Sequence, residues 1–420
     1  MTKRGMGVAA AALVLAAAGC TPGSTSAQTV ELVAGGGEAD GGPAMDAFID
    51  GRLVDMTVDR AGTLRVLTET NAVATMWTVQ DGKLSHVAVP GFRAEYVSQM
   101  TAGPDGAVYV ALWNGEGGVW QITPEGKATQ RLGINRDTYR GDRKPPADGA
   151  AADGAYLRYL HGVAVGPDNR MYFAEERNDP TTHQLVRTVD GGKIKTILGR
   201  DLAGLTARQW RSARTREGGF PDGTPATQIA LEGGLNDPIA IGADGTLYAA
   251  PGRRSVVAVR ADGSAHELIG NVAGGGLDGD VDDPEKPFAD RGQAARASVW
   301  LRGSRTGQRG ESNASLVTDE RGNVYVTSVR TGADDLPRRF DWTGDATGRQ
   351  RDLLVQSRKR RDIGTDTTEV LQIRPDGSLA TAAGHADAAA VHGDWLYLAR
   401  AFTDDESTDR VLVVRTAIPR

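Results

Sequence analysis

Three observations predict an all-β chain of six four-stranded antiparallel blades, a six-bladed β-propeller whose N-terminal strand closes the last blade. The chain writes a short apolar run, a tight turn and a second apolar run six times. Its composition is turn-rich, with 55 Gly and only 5% aromatic residues. It also has one cysteine, so no disulfide braces the fold and stability must come from a large core, for which about 390 residues are ample.

Taken in order, the first hairpin pairs Val54–Val58 with Thr63–Leu67, and the second pairs Ser98–Ala102 with Ala107–Val110. The third and fourth pair Gly162–Val165 with Met171–Ala174 and Pro238–Ile241 with Thr246–Ala249. The fifth and sixth pair Ser315–Thr318 with Asn323–Val326 and Ala389–Val391 with Asp394–Leu398. Turn residues such as Gly106, Asn169, Gly245, Gly322 and Gly393 supply the positive φ of two-residue hairpins. Second hairpins follow most of these, as in Gly118–Ile122 with Lys127–Leu132 and Val256–Arg260 with Ser264–Ile269. Four strands repeated at intervals widened by insertions define a blade.

The pattern Gly-Val-Ala-Val, Asp-Gly or Asp-Asn, Leu-Tyr-Val-Ala and a further Asp-Gly turn resembles the NHL repeat of β-propellers. The segments Asp40-Gly41-Gly42-Pro43-Ala44 and Asp222-Gly223-Thr224-Pro225-Ala226 are similar to the linkers of that family, with weaker copies at 147–150 and 290–294. The resemblance covers most of 29–415. It implies the fold and leaves the activity open, because propellers host binders and enzymes alike. The sixth unit shows only three strands, at about 387–391, 394–399 and 410–415. Thr29–Ala34 reads as the missing fourth, which would leave no open strand edge.

The N-terminus carries an address. Lys3 and Arg4 precede the apolar run Val8–Ala18, whose eleven residues are too few to span a bilayer and read as a signal h-region. Ala17-Ala18-Gly19-Cys20 resembles the lipobox of bacterial lipoproteins, which implies lipidation of Cys20; an ordinary secretory signal with an incidental cysteine is the alternative. The resulting division is a signal peptide at 1–19, a polar tether at 20–28 and the propeller at 29–420. The expected location is the extracytoplasmic face of the cell membrane. A net charge of −6 gives no whole-chain argument for nucleic acid, and a monomer is expected.

Strand order also separates two faces. Connections from the first to the second and the third to the fourth strand lie on one face, and these are tight. The long insertions at 133–159, 199–236, 270–313 and 330–367 all fall on the other, which marks that face as the working surface. Arg208, Arg211, Arg214 and Arg216, with Trp210 among them, form an acid-free basic run; solvated loops paired with acidic neighbours are the first reading of such a run, and a site for carboxylate or phosphate is the alternative that makes these residues ligand-binding candidates.

Catalytic signatures are sparse. Asp278, Asp280 and Asp282 suggest a calcium loop, but an EF-hand needs Gly at its sixth position and Glu at its twelfth, where Asp283 and Ala289 stand. No cofactor is therefore expected, with a looser calcium site as the alternative. Some NHL-like propellers are lyases that hold zinc with three channel histidines. Only His161 is placed for that role, and one histidine cannot make such a site. His161 stays a candidate ligand-binding residue. The function expected is a binding or scaffold module for an envelope protein or anionic envelope polymer. The alternative is a propeller enzyme, a lyase or lactonase-like hydrolase with a channel metal.

Overall fold

Strand pairing in the computed structural model closes six sheets into a ring. Residues 28–418 are described, apart from 38, 40, 114–117, 134–144, 158, 179–181, 203–204, 207–219, 233–236, 252–254, 270–314, 332–339, 343–365, 385 and 404–408.

Each blade runs outward from an inner strand, and neighbouring strands are antiparallel. Blade 1 is Arg52–Val58, Leu64–Thr70, Val73–Gln80 and Lys83–Val89. Blade 2 is Val97–Ala102, Val108–Leu112, Gly118–Ile122 and Ala128–Gly133. Blade 3 is Leu160–Val165, Met171–Asn178, Thr182–Asp190 and Lys193–Leu198. Blade 4 is Ile239–Ile241, Leu247–Ala249, Val256–Val259 and Ser264–Ile269, and blade 5 is Leu316–Thr318, Val324–Thr331, Asp366–Ile373 and Leu379–Gly384. Blade 6 is Ala388–His392, Trp395–Thr403 and Asp409–Ala417, completed by Gln28–Ala34. Glu31 lies opposite Arg415 and Ala34 opposite Val413, so the expected closure is present. An ion pair, Arg415 Nη2 to Glu31 Oε2 at 2.8 Å, spans this join.

The core is divided among the blade interfaces. Six buried apolar clusters each draw side chains from two neighbouring blades; Leu67, Met76, Met100 and Val110 join blades 1 and 2, and Ala34, Leu53, Ala399 and Val411 join blades 6 and 1. Alternation along a strand therefore sends successive side chains to opposite neighbouring blades. Phe173 packs towards blade 2 and Ala174 towards blade 4.

The tight turns are built differently from the two-residue hairpins expected. Most first-to-second connections run five residues, and His392–Trp395 is the two-residue exception. Gly106, Asn169, Gly245, Gly322 and Gly393 do have positive φ, from 57° to 83°. An aspartate closes each of these five turns by accepting a backbone N–H: Asp59 from Thr63, Asp105 from Ala107, Asp168 from Arg170, Asp244 from Thr246 and Asp319 from Asn323. The tyrosine of the repeat completes the device, since Tyr109 Oη donates to Asp105 at 3.1 Å and Tyr325 Oη to Asp319 at 3.0 Å. Gly103 is glycine because a Cβ there would lie 2.5 Å from the Tyr109 ring.

The linkers similar to NHL linkers act as edge strips. Gly42–Pro43 pairs with the outer strand of blade 1, Thr224–Pro225 with that of blade 4, and Ala151 bridges to Lys193 on blade 3. Phe340–Trp342, within the fifth-blade insertion, pairs in parallel with Gln28–Val30 at the rim of blade 6. Each strip covers backbone groups that would otherwise template association.

Candidate functional site

No described connection on the tight-turn face exceeds five residues, whereas the opposite face carries the connections 134–159, 199–238, 270–315 and 332–365. Parts of these insertions are edge strips rather than free loops, notably 146–151 and 224–232. The first residues of every inner strand lie at the mouth on the insertion-bearing face. His161 is among them, buried within the inner strand of blade 3. Arg208, Trp210, Arg211, Arg214 and Arg216 lie outside the described residues, as do Cys20, Asp278, Asp280 and Asp282.

Just inside the mouth, a ring of side chains ties the inner strands together. Backbone N–H groups on the channel side of an inner strand have no further strand to bond and need acceptors. Asp55 Oδ2 accepts from Met100 N at 2.8 Å, and its Oδ1 from Met56 N at 2.8 Å. Gln99 Oε1 accepts from Val163 N and from Ile239 N, both at 3.0 Å, while its Nε2 donates to the Ile239 carbonyl at 2.7 Å. Ser315 Oγ accepts from Ala389 N at 3.1 Å. Gln99 thus reaches from blade 2 past blade 3 to blade 4. Gly162 makes room for it: a Cβ there would lie 3.1 Å from Gln99 Oε1 and 2.8 Å from the Asp237 carbonyl. Burial pushes the Asp55 carboxyl up to about 7, against the pull of its two backbone hydrogen bonds.

Register places His161 among its equivalents in the neighbouring blades. The inner strands of blades 1, 2 and 3 carry bulges at Val54, Ser98 and His161, which are therefore equivalent positions. Counting back five residues from the recurring turn bonds of Gly166 and Gly242 makes Asp237 equivalent to His161 in blade 4. The ring beside His161 thus includes a buried carboxylate, that of Asp237. His161 Nε2 lies 3.5 Å from Glu176 Oε2. His183 also lies at the insertion-bearing end of blade 3, buried, with Nε2 3.7 Å from Asp201 Oδ1. Among the described residues, no three His, Cys, Asp or Glu side chains converge in metal-ligand fashion.

The feature that sequence reading missed is a buried charge network on the side of blade 3 that faces blade 2. Arg187 Nη1 lies 3.1 Å from Glu175 Oε2 and donates to the Pro146 carbonyl at 2.8 Å; its Nη2 donates to Asp148 Oδ1 at 2.9 Å. Arg177 donates to the same Pro146 carbonyl at 2.6 Å and to Asp201 at 2.8 Å. Burial raises the Glu175 carboxyl, with both arginine charges opposing it. Burial works against the Asp148 anion too, but hydrogen bonds from Thr196 and Arg187 outweigh it and hold that group below its usual range. The network fastens the connections entering and leaving blade 3 to the blade. Its one sequence signal was Glu175-Glu176-Arg177 prolonging an apolar strand.

No family model matches this chain, and no curated protein matches it. Among solved structures it is similar to a protein of unknown function from Bacteroides thetaiotaomicron, with TM-score 0.47, 14% identity, and coverage of 92% of this chain and 76% of that one. It is similar to an auxiliary nutrient binding protein from the same organism, with TM-score 0.45, 10% identity, and coverage of 92% and 75%. A PQQ-bound aldose sugar dehydrogenase from Streptomyces coelicolor gives TM-score 0.40, 14% identity, and coverage of 92% and 97%. The strand pairing of this chain, rather than these distant likenesses, establishes its six-bladed propeller fold.

Proposed function

We propose that this protein is an extracytoplasmic binding module, held to the cell membrane by a lipid on Cys20, that engages an anionic component of the cell envelope through its insertion-bearing face. The observation that supports this most is the one-sided distribution of long connections: turns of two to five residues on one face, four long connections on the other. Loops raised on a rigid scaffold are where propellers place recognition. The connection between blades 3 and 4 carries Arg208, Trp210, Arg211, Arg214 and Arg216, four guanidinium groups and an indole fit for carboxylate or phosphate.

The enzymatic alternative would draw on the channel carboxyl of Asp55. Both of its oxygens are taken by backbone N–H groups, as are the acceptors of Gln99 and Ser315. Those groups hold the ring closed, which favours binding at the mouth over chemistry in the channel. Metal analysis of the purified domain separates the two readings independently.

The test is a pulldown from detergent-solubilised envelope with wild type, the quadruple variant Arg208→Gln, Arg211→Gln, Arg214→Gln and Arg216→Gln, and the turn-face pair Glu125→Gln and Asp262→Asn. The quadruple variant is expected to lose its partner at physiological ionic strength and the turn-face pair to keep it. Identical partner profiles for all three would remove the arginine site.

A further inference from the structure

The direction of the closing strand orients the whole disc. Trp395–Thr403 starts at the tight turn Gly393-Asp394, so Asp409–Ala417 runs back towards the turn face. Ile418 N indeed donates to the Asp394 carbonyl. Gln28–Ala34 is antiparallel to Asp409–Ala417 and therefore begins at the turn face and ends at the insertion-bearing face. A chain arriving from Cys20 joins the propeller on its turn side.

We propose that the tight-turn face is the membrane-facing side of the disc, and that the mouth with the long connections points away from the lipid into the envelope. This rests on the lipid-anchor reading of Cys20. Lengths decide the orientation. Eight residue steps separate Cys20 from Gln28. At full stretch they reach about 28 Å, and a coil of that length spans about 16 Å. A seven-residue strand such as Leu64–Thr70 is about 23 Å tall. Turning the insertion-bearing face onto the membrane would demand nearly full extension of the tether. Resting turn-side down demands none.

Charge determines how closely that face approaches. The described turn-face connections carry eleven acidic residues against six basic ones. Anionic headgroups repel such a surface, so the disc is held near the bilayer by its tether rather than docked on it.

Energy transfer in vesicles tests this. Lipidation consumes the thiol of the chain's single cysteine. A fluorophore can then be placed uniquely at Arg60→Cys, on the turn face, or at Val73→Cys, half exposed at the opposite end of the same blade. With the full-length lipidated protein in vesicles bearing acceptor-labelled headgroups, transfer from position 60 is expected to be at least twofold that from position 73. Equal or reversed transfer from a protein confirmed as lipidated by mass and by flotation would overturn the orientation while leaving the anchor intact. A Cys20→Ala protein that still floats with vesicles would overturn the anchor reading, and the orientation with it.

Discussion

Gln99 and Gly162 are a matched pair: the long amide of one blade occupies the space that the next blade leaves by having no side chain. Gly162→Ala places a methyl 2.8 Å from a backbone carbonyl that cannot swing aside. A loss of about 1–3 kcal/mol in denaturant unfolding is expected, in the range of overpacked cores. Gln99→Ala leaves the Val163 and Ile239 N–H groups without their acceptor and is expected to cost at least as much, since each buried unsatisfied donor costs about 1–3 kcal/mol. Asp55 makes a pH statement. Its carboxyl titrates near 7 when folded against an ordinary 3.8, so the folded state keeps the proton longer. Its contribution is fully present below 3.8 and is lost as pH rises towards 7, at up to about 1.4 kcal/mol per pH unit. Unfolding free energies of wild type and Asp55→Asn, from denaturant titrations between pH 4 and 7, should differ in slope by this amount; parallel curves would remove the assignment. None of this was legible in the sequence. Val54-Asp55-Met56 reads as an ordinary strand, and the contact that matters joins residues 45 positions apart.

Elements were far more legible, because a propeller repeats its grammar and every repeat is a separate reading of the same pattern. All six inner hairpins lie where alternation and Asp-Gly turns put them, and the surplus strand at the N-terminus found the blade that lacked one. The edge strips were harder. Gly42–Pro43 and Thr224–Pro225 pair over two residues, too short to show a period, although their linker chemistry marked them as special. The blade 3 network left only Glu175-Glu176-Arg177 as a signal, because its partners come from two strands, a linker and a following loop. Two deletions separate closure from tethering. Removing 29–34 is expected to cost several kcal/mol, a large share of the roughly 5–15 kcal/mol of an ordinary domain, and to promote aggregation through the bared edge of Asp409–Ala417. Removing 21–27 should leave the thermal midpoint unchanged. Asp148→Ala tests the network: it strips one partner from a fully buried arginine that keeps Glu175 and the Pro146 carbonyl, and because Asp148 is itself half exposed the expected loss is about 1–2 kcal/mol, whereas Asp222→Ala, whose carboxylate is still more exposed, should cost less.

At the scale of the molecule, the two faces of the disc divide the labour. Aspartate turns and repeat tyrosines make one face uniform and short, and the outer edges of blades 1, 3, 4 and 6 are covered by strips from the linkers and insertions. Variation is left to the other face. Strand order alone was enough to assign the insertions to that face, since the assignment follows from connectivity. Any ligand of these insertions was not legible, because ligand contacts depend on side-chain placement within segments that carry no repeat. The basic run of residues 208–216 should bind with a marked salt dependence, weakening as ionic strength rises and the Debye length falls below about 8 Å. Photocrosslinking in intact cells tests the division most directly. A photoreactive residue is placed at Val73 or at Arg60 of the full-length protein, and adducts are resolved by mass. The expected result is a discrete envelope adduct from position 73 at the mouth side and none from position 60. Discrete adducts from position 60 alone would contradict the account.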